Sequence, residues 1–229
     1  MKIILKKTPK KPTIIEGFPG FGLVGTIATE FLIDHLKPEL IGEFIYTELP
    51  ATIAIHKNDL IRPMAVFYDK KHNIVILHTL LNTKGFEFEI ANNIADMAKK
   101  MQAKEIISLE GVACNSPDEE TKLFWYGNNK FGKLGAEPIQ ESIIVGVTAA
   151  VMLRYKDVSC LFATTHSALP DSSAAAKIIE LLNKYLKLGV NTKPLQQQAE
   201  QFESKLKNML QQTANTEREL EKKNLSYVG

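Results

Sequence analysis

The chain has 229 residues, 45% of them hydrophobic and 24% charged, with a formal net charge of +2. That length carries one sizeable α/β domain with a core of its own, or such a domain plus an appendage, and the small net charge excludes a dedicated nucleic-acid surface. Two cysteines, Cys114 and Cys160, are too few for a zinc ligand set or a disulfide framework and point to a reducing cytoplasm.

The first twelve residues, MKIILKKTPKKP, are basic but offer only Ile3-Ile4-Leu5 where a signal peptide needs a longer apolar region. The longest apolar stretch, Ile143 to Leu153, falls short of the roughly 20 residues that span a bilayer, so no membrane partner is expected. Strand-like runs follow at Thr13–Glu16, Glu43–Thr47, Ile53–His56, Met64–Tyr68, Ile74–Leu80, Ile106–Glu110 and Val158–Thr164. Many are continuous Ile and Val runs, the pattern of strands covered on both faces. Helical spacing appears between them: Leu23, Ile27 and Phe31; Ile90, Ile94, Met97 and Met101; Val147 and Val151; Ile178, Leu181, Leu182 and Tyr185. The alternation predicts a three-layer α/β domain. In LPDSSAAAK, Asp171 can cap the last of these helices and three alanines favour it; Gly189 and Pro194 mark its end, placing the domain boundary near Val190.

Gly20, Gly22 and Gly25 spell G-x-G-x-x-G after the strand Thr13–Glu16, the order a dinucleotide-binding unit uses. Such a unit also needs an acid closing a second apolar strand. Glu39, Glu43 and Glu48 stand at about the right distance, yet none closes a clean strand. Gly17, Pro19, Gly20, Gly22 and Gly25 are therefore read as a structural loop, in which glycine supplies positive φ and close strand-to-helix packing.

Other motifs fail at a specific residue. GNNKFGKL (Gly127 to Leu134) matches G-x-x-x-x-G-K but places Leu134 where Mg²⁺ needs Ser or Thr, which leaves a polar surface loop. The five histidines show no metal-binding spacing; His56 and His78 fall at strand ends, where a satisfied, partly buried ring is the expected state. Cys114 follows a strand end but has no sequence-adjacent histidine to activate it, and both cysteines read as small buried residues. Glu16 and Glu110 each end an apolar strand before a glycine, so they can meet as paired carboxylates, the one constellation that keeps an enzyme reading open. No cofactor and no metal is called for.

From residue 191 the composition turns to Gln, Glu, Lys and Asn. Leu195, Ala199, Phe202, Leu206, Met209 and Leu220 recur at steps of four and three, with Thr213 and Thr216 in the same register, which predicts a long amphipathic helix. The stripe suits either its own domain or another subunit. After it comes a short apolar end, Leu225, Ser226, Tyr227, Val228 and Gly229, whose side chains and free carboxylate have the character of a docking peptide.

Three segments resemble a known family: GFPGFGLVGTIATEFLIDHL (Gly17 to Leu36), LGAEPIQESIIVGVTAAVML (Leu134 to Leu153) and LPDSSAAAKIIELLNKYL (Leu169 to Leu186). Their order and character are similar to those of the proteasome assembly chaperone 2 family, over most of residues 13–188. The resemblance implies an α/β domain like that of purine nucleoside phosphorylases, without phosphorylase activity. It also implies protein binding as the function: homo-oligomers that engage the 20S proteasome α-ring through C-terminal tails ending in a hydrophobic residue, tyrosine and one further residue, the terminal carboxylate meeting a lysine. Only Tyr227 matches that tail, and it stands third from the end with Ser226 before it. A one-residue slip moves a group by about 3.3 Å, enough to break a hydrogen bond. His166-Ser167-Ala168-Leu169 also departs from the family, whose members often carry glycine and aromatics there. The expectation is a cytoplasmic, self-associating chaperone or ATP-independent activator with an α/β domain over 1–190 and a helix and tail over 191–229. The open alternatives are a small-molecule or nucleotide-binding enzyme using the Gly20–Gly25 loop with Glu16 and Glu110 nearby, or a scaffold that self-assembles without proteasome binding.

Overall fold

Residues Ile14 and Ile15 explain why the central strands read as unbroken apolar runs: they point to opposite faces of the sheet, and each enters a different core. The computed structural model describes residues 1–46, 53–56, 59–114, 120–165 and 169–194. In chain order its strands are β1 (Lys2–Leu5), β2 (Thr13–Gly17), β3 (Glu39–Ile45), β4 (Ala54–His56), β5 (Asp59–Ile61), β6 (Met64–Asp69), β7 (Ile74–Thr79), β8 (Glu105–Ala113), β9 (Leu123–Tyr126), β10 (Glu137–Pro138) and β11 (Val158–Thr165). Its helices are α1 (Val24–Leu36), α2 (Glu87–Met101), α3 (Gly146–Arg154) and α4 (Ser172–Leu186).

Nine strands form one mixed sheet in the order β1-β3-β6-β7-β2-β8-β11-β9-β10, and β4 and β5 pair as a separate hairpin. The centre, β7-β2-β8-β11, is parallel. Helices α1 and α4 cover one face, packed on Ile15, Ile76, Ile107 and Leu161; α2 and α3 cover the other, packed on Ile14, Val75, Ile106 and Phe162. This is the three-layer α/β architecture that the alternating pattern predicts.

Local chemistry sets the helix limits. In α2, Ile90, Ala91, Ile94, Met97, Ala98 and Met101 form the buried stripe, with Glu87 and Glu89 in the first turn and Lys99 and Lys100 in the last, each sign at the favourable dipole end. Asp171 caps α4 by accepting a hydrogen bond from the Ala174 N–H at 2.9 Å. The left-handed residue that ends α4 is Lys187; Gly189, expected to close it, follows two residues on at φ +70°. Asn183 then holds the Val190 backbone by two hydrogen bonds, of 3.0 and 3.2 Å.

Several boundaries differ from the sequence pattern. The strand expected at Glu43–Thr47 begins at Glu39 and ends at Ile45, and the basic N-terminus contains the edge strand β1, with Ile3 half-buried and Ile4 exposed. Strand β9, LFWY, pairs antiparallel with β11; its four apolar residues are not among the runs expected as strands. The described strands that the sequence pattern missed, β1, β5, β9 and β10, are pieces of two to four residues, too short for a periodic signal.

Candidate functional site

The β2–α1 connection is left-handed at two successive residues, Gly22 (φ +64°) and Leu23 (φ +50°). Glycine adopts this freely; for leucine it costs of order 1 kcal/mol. Each glycine of the motif gives its missing Cβ space to the protein itself. A Cβ on Gly20 would overlap the Glu110 carboxyl, one on Gly22 would press on Thr165, one on Gly25 would overlap the Leu109 carbonyl, and one on Gly17 would overlap Gly25. Helix α1 thus lies tight on β2 and β8, and Pro19 and Gly20 line a cavity above them.

The same geometry removes the dinucleotide reading. A mononucleotide-binding half places its second strand beside the first, whereas here β6 and β7 stand between β2 and β3. Glu43 is ion-paired with Arg62 and Glu39 with Lys7 at 2.6 Å. Glu48 lies outside the described residues.

Glu16 and Glu110 do come together. Residue Glu16 on β2 faces Ser108 on β8 in the parallel register, and Glu110 is the next residue of β8 on that face, beneath α3. The Ser108 hydroxyl donates to Glu16 Oε1, while Glu16 Oε2, fully buried, has no hydrogen bond of normal geometry. Thr148 of α3 donates to Glu110 Oε2 at 3.2 Å and the Gly111 N–H to Oε1 at 3.2 Å. Burial drives the Glu16 carboxyl up to about 7, against the weaker opposing effect of its Ser108, Phe18 and Thr148 neighbours. Burial, and then the charge of Glu16, drives Glu110 up to about 8. Near neutral pH the pair therefore holds protons that exposed glutamates would have lost.

Above the pair lies a cavity of about 360 Å³, bounded by Phe21, Glu110, Val112 and the segment Ser142–Gly146. It sits at the C-terminal ends of β2 and β8, adjacent parallel strands whose next α-helices in the chain, α1 and α3, lie on opposite faces of the sheet, the crevice in which open α/β sheets place ligands. Its rim is apolar: Ile143 is 91% and Val145 72% exposed, with Phe21 also on the surface. Sequence reasoning found the two carboxylates but missed Ser108, Thr148 and this rim. Thr148 sits inside an apolar helix pattern with nothing to single it out, and Ile143 and Val145 carry the signature of buried residues.

The remaining candidates take structural places. The ring of His78 is buried, 2.9 Å from both Thr29 Oγ1 and Glu30 Oε2. This threonine–histidine–glutamate row has the members of a catalytic triad, but the Thr29 hydroxyl is fully buried and lies 3.0 Å from the Gly25 carbonyl, its helical acceptor, with no route to a substrate. The backbone of His56 lies in β4. Cys160 is buried, which pushes its thiol up, and Cys114, expected to be buried, is only partly so. The loop Gly127–Leu134 is surface-facing only in part: Phe131 is 0% exposed, with its ring 4.8 Å from Tyr185. Tyr185 in turn donates to Glu105 at 2.8 Å, and burial and that carboxylate raise its hydroxyl to about 12. Leu195, Ala199, Phe202, Leu206, Met209, Leu220, Leu225, Tyr227, Val228 and Gly229 lie outside the described residues. Among the described residues no group of three or more potential metal ligands occurs and no helix is long and apolar enough to cross a membrane.

The chain is 27% identical over 212 residues to the uncharacterised protein MJ0106 of Methanocaldococcus jannaschii, covering 89% of this chain and 87% of that protein. Among solved structures it resembles Pyrococcus furiosus PbaA, described as an archaeal homologue of proteasome-assembly chaperone, at TM-score 0.82 and 29% identity over 94% of this chain and 99% of that one. Pyrococcus furiosus PbaB, described as an archaeal proteasome activator, shares the fold at TM-score 0.71 and 23% identity over 91% and 98% of the two chains. The PAC2 family model matches residues 14–210, which include the glycine turn, both buried glutamates and all four described helices: the chain belongs to the PAC2 family.

Proposed function

We propose that this protein is a self-associating binding protein of the proteasome core particle, acting in the cytoplasm as an assembly factor or ATP-independent activator, and that it has no catalytic activity of its own. The observation that carries the reading is the likeness to PbaA, an archaeal homologue of proteasome-assembly chaperone, over nearly the full length of both chains. Family membership over residues 14–210 supports it. The filled glycine turn and the buried Thr29 hydroxyl support a binding role over catalysis, since neither offers a substrate its reacting group.

In this reading residues 1–190 form the α/β body and 191–229 a helix and tail. Leu195, Ala199, Phe202, Leu206, Met209 and Leu220 contact other copies, and Leu225, Tyr227, Val228 and Gly229 dock on the α-ring. Several weak tails on one oligomer then bind by avidity, each raising the effective concentration of the next. The test is binding of purified 20S core particle to the full chain and to a variant ending at Asn224, with the oligomer mass of each measured. Loss of binding with unchanged mass supports tail docking. Equal binding by the truncated chain refutes it, and no binding by either refutes the core particle as partner.

A further inference from the structure

We propose that the cavity at the C-terminal ends of β2 and β8 binds an organic cation, a primary ammonium or guanidinium group carried on an apolar body, with Glu110 as its counter-charge. The inference does not depend on proteasome binding. It rests on the cavity, on the acids beneath it, and on what neither acid has.

Glu110 is the one charged side chain among the described residues that bound the cavity; the others of consequence are Phe21, Val112, Ala113, Ile144 and Val145. The opening is built around this carboxyl. Gly20 leaves out the Cβ that would overlap it, and Gly111 N–H and the Thr148 hydroxyl fix its two oxygens. Glu16 lies one register step deeper, completely buried, with Oε2 lacking a hydrogen bond of normal geometry. No Lys, Arg or His of the described residues forms an ion pair with either acid. A buried carboxyl with no cation beside it keeps its proton, as these two do near neutral pH, and a cation brought to Glu110 takes the place of that proton. A fold that keeps two such carboxyls under a cavity, with no cation of its own among the described residues, is suited to one from outside.

The walls decide what kind of cation fits. A divalent metal needs about six oxygen ligands or retained waters, and apolar side chains supply neither. An alkyl or aryl group suits Phe21, Ile144 and Val145, and about 360 Å³ lies at the small end of ligand pockets. An anion would meet Glu110 directly. The ligand that uses every wall has a cationic head and an apolar stem, whether a free amine or a basic side chain of a peptide.

The test uses the full chain with benzylamine, hexylamine and agmatine, each beside a neutral counterpart such as benzyl alcohol or hexanol, read by thermal shift and calorimetric titration. We expect saturable binding of at least one cation, with no saturable binding of its neutral counterpart. Glu110→Gln should weaken that binding on the order of tenfold or more, the loss of one charge-assisted contact. Glu110→Asp, which retains the charge, should keep the preference for amine over alcohol. Equal binding of cation and neutral counterpart, undiminished binding by Glu110→Gln, or no saturable binding by any of the three cations would each overturn the proposal.

Discussion

Replacing Glu16 by Gln should make the protein more stable at pH 8 and nearly leave it alone at pH 5. In the folded chain the carboxyl keeps its proton up to about 7, whereas in the unfolded chain it loses it near 4.5. The native state therefore binds more protons between those values, and stability falls as pH rises through them. At about 1.36 kcal/mol per pH unit the interval amounts to about 3 kcal/mol, fully lost above pH 7. Glu110 acts in the same direction and extends the fall toward pH 8. The substituted amide would have no charge to desolvate, and its carbonyl oxygen can still accept from Ser108. For a chain of this size about 3 kcal/mol moves Tm by roughly 6–12 °C. The assay is thermal unfolding from pH 5 to 9 in amine-free buffers. The wild-type Tm should fall across the range and the variant curve should be flatter, parting above it from about pH 5 and reaching most of the Glu16 separation by about pH 7. Parallel curves, or a variant that stays less stable at pH 8, would refute the burial argument.

Gly25→Ala drives a Cβ into the Leu109 carbonyl, a backbone atom that cannot step aside. It should cost about 3 kcal/mol, the upper end of overpacking penalties. Gly135→Ala, with nothing within 4 Å of its Cβ and only φ strain to bear, should cost clearly less; equal losses in denaturant titration would contradict the packing account of the turn. Phe131→Ala should cost about 4 kcal/mol as a core deletion. A change below about 0.5 kcal/mol would return the loop to the polar surface.

The central sheet was legible because its strands are covered on both faces: the runs at Thr13–Glu16, Ile74–Leu80, Ile106–Glu110 and Val158–Thr164 all correspond to its parallel core, within a few residues at each end. The order of those strands was not. Nothing in one sequence says that β6 and β7 stand between β2 and β3, and that insertion is what disposes of the dinucleotide motif. Apolarity also misleads in one direction. Ile143 and Val145 count as core by composition yet stand on the surface, while Phe131, set among Asn, Lys and Gly, is fully buried. Hydrophobic residues are not confined to the inside, because polar surface alone cannot cover a protein.

The glycine turn and the acid pair are one device in the structure. A glycine-rich strand-to-helix turn binds phosphate because bare backbone and free N–H groups approach an anion. Here bare Gly20 faces the Glu110 carboxyl, and the backbone N–H of Phe21 is directed at the same group. The turn does hold an acid, and the acid belongs to β8. An incoming phosphate would find the Gly20 space and the Phe21 N–H already taken by a carboxyl, so the turn has no room for the ligand that its motif advertises. The same carboxyl, giving up its proton when a cation arrives, is what gives the cavity its selectivity for one.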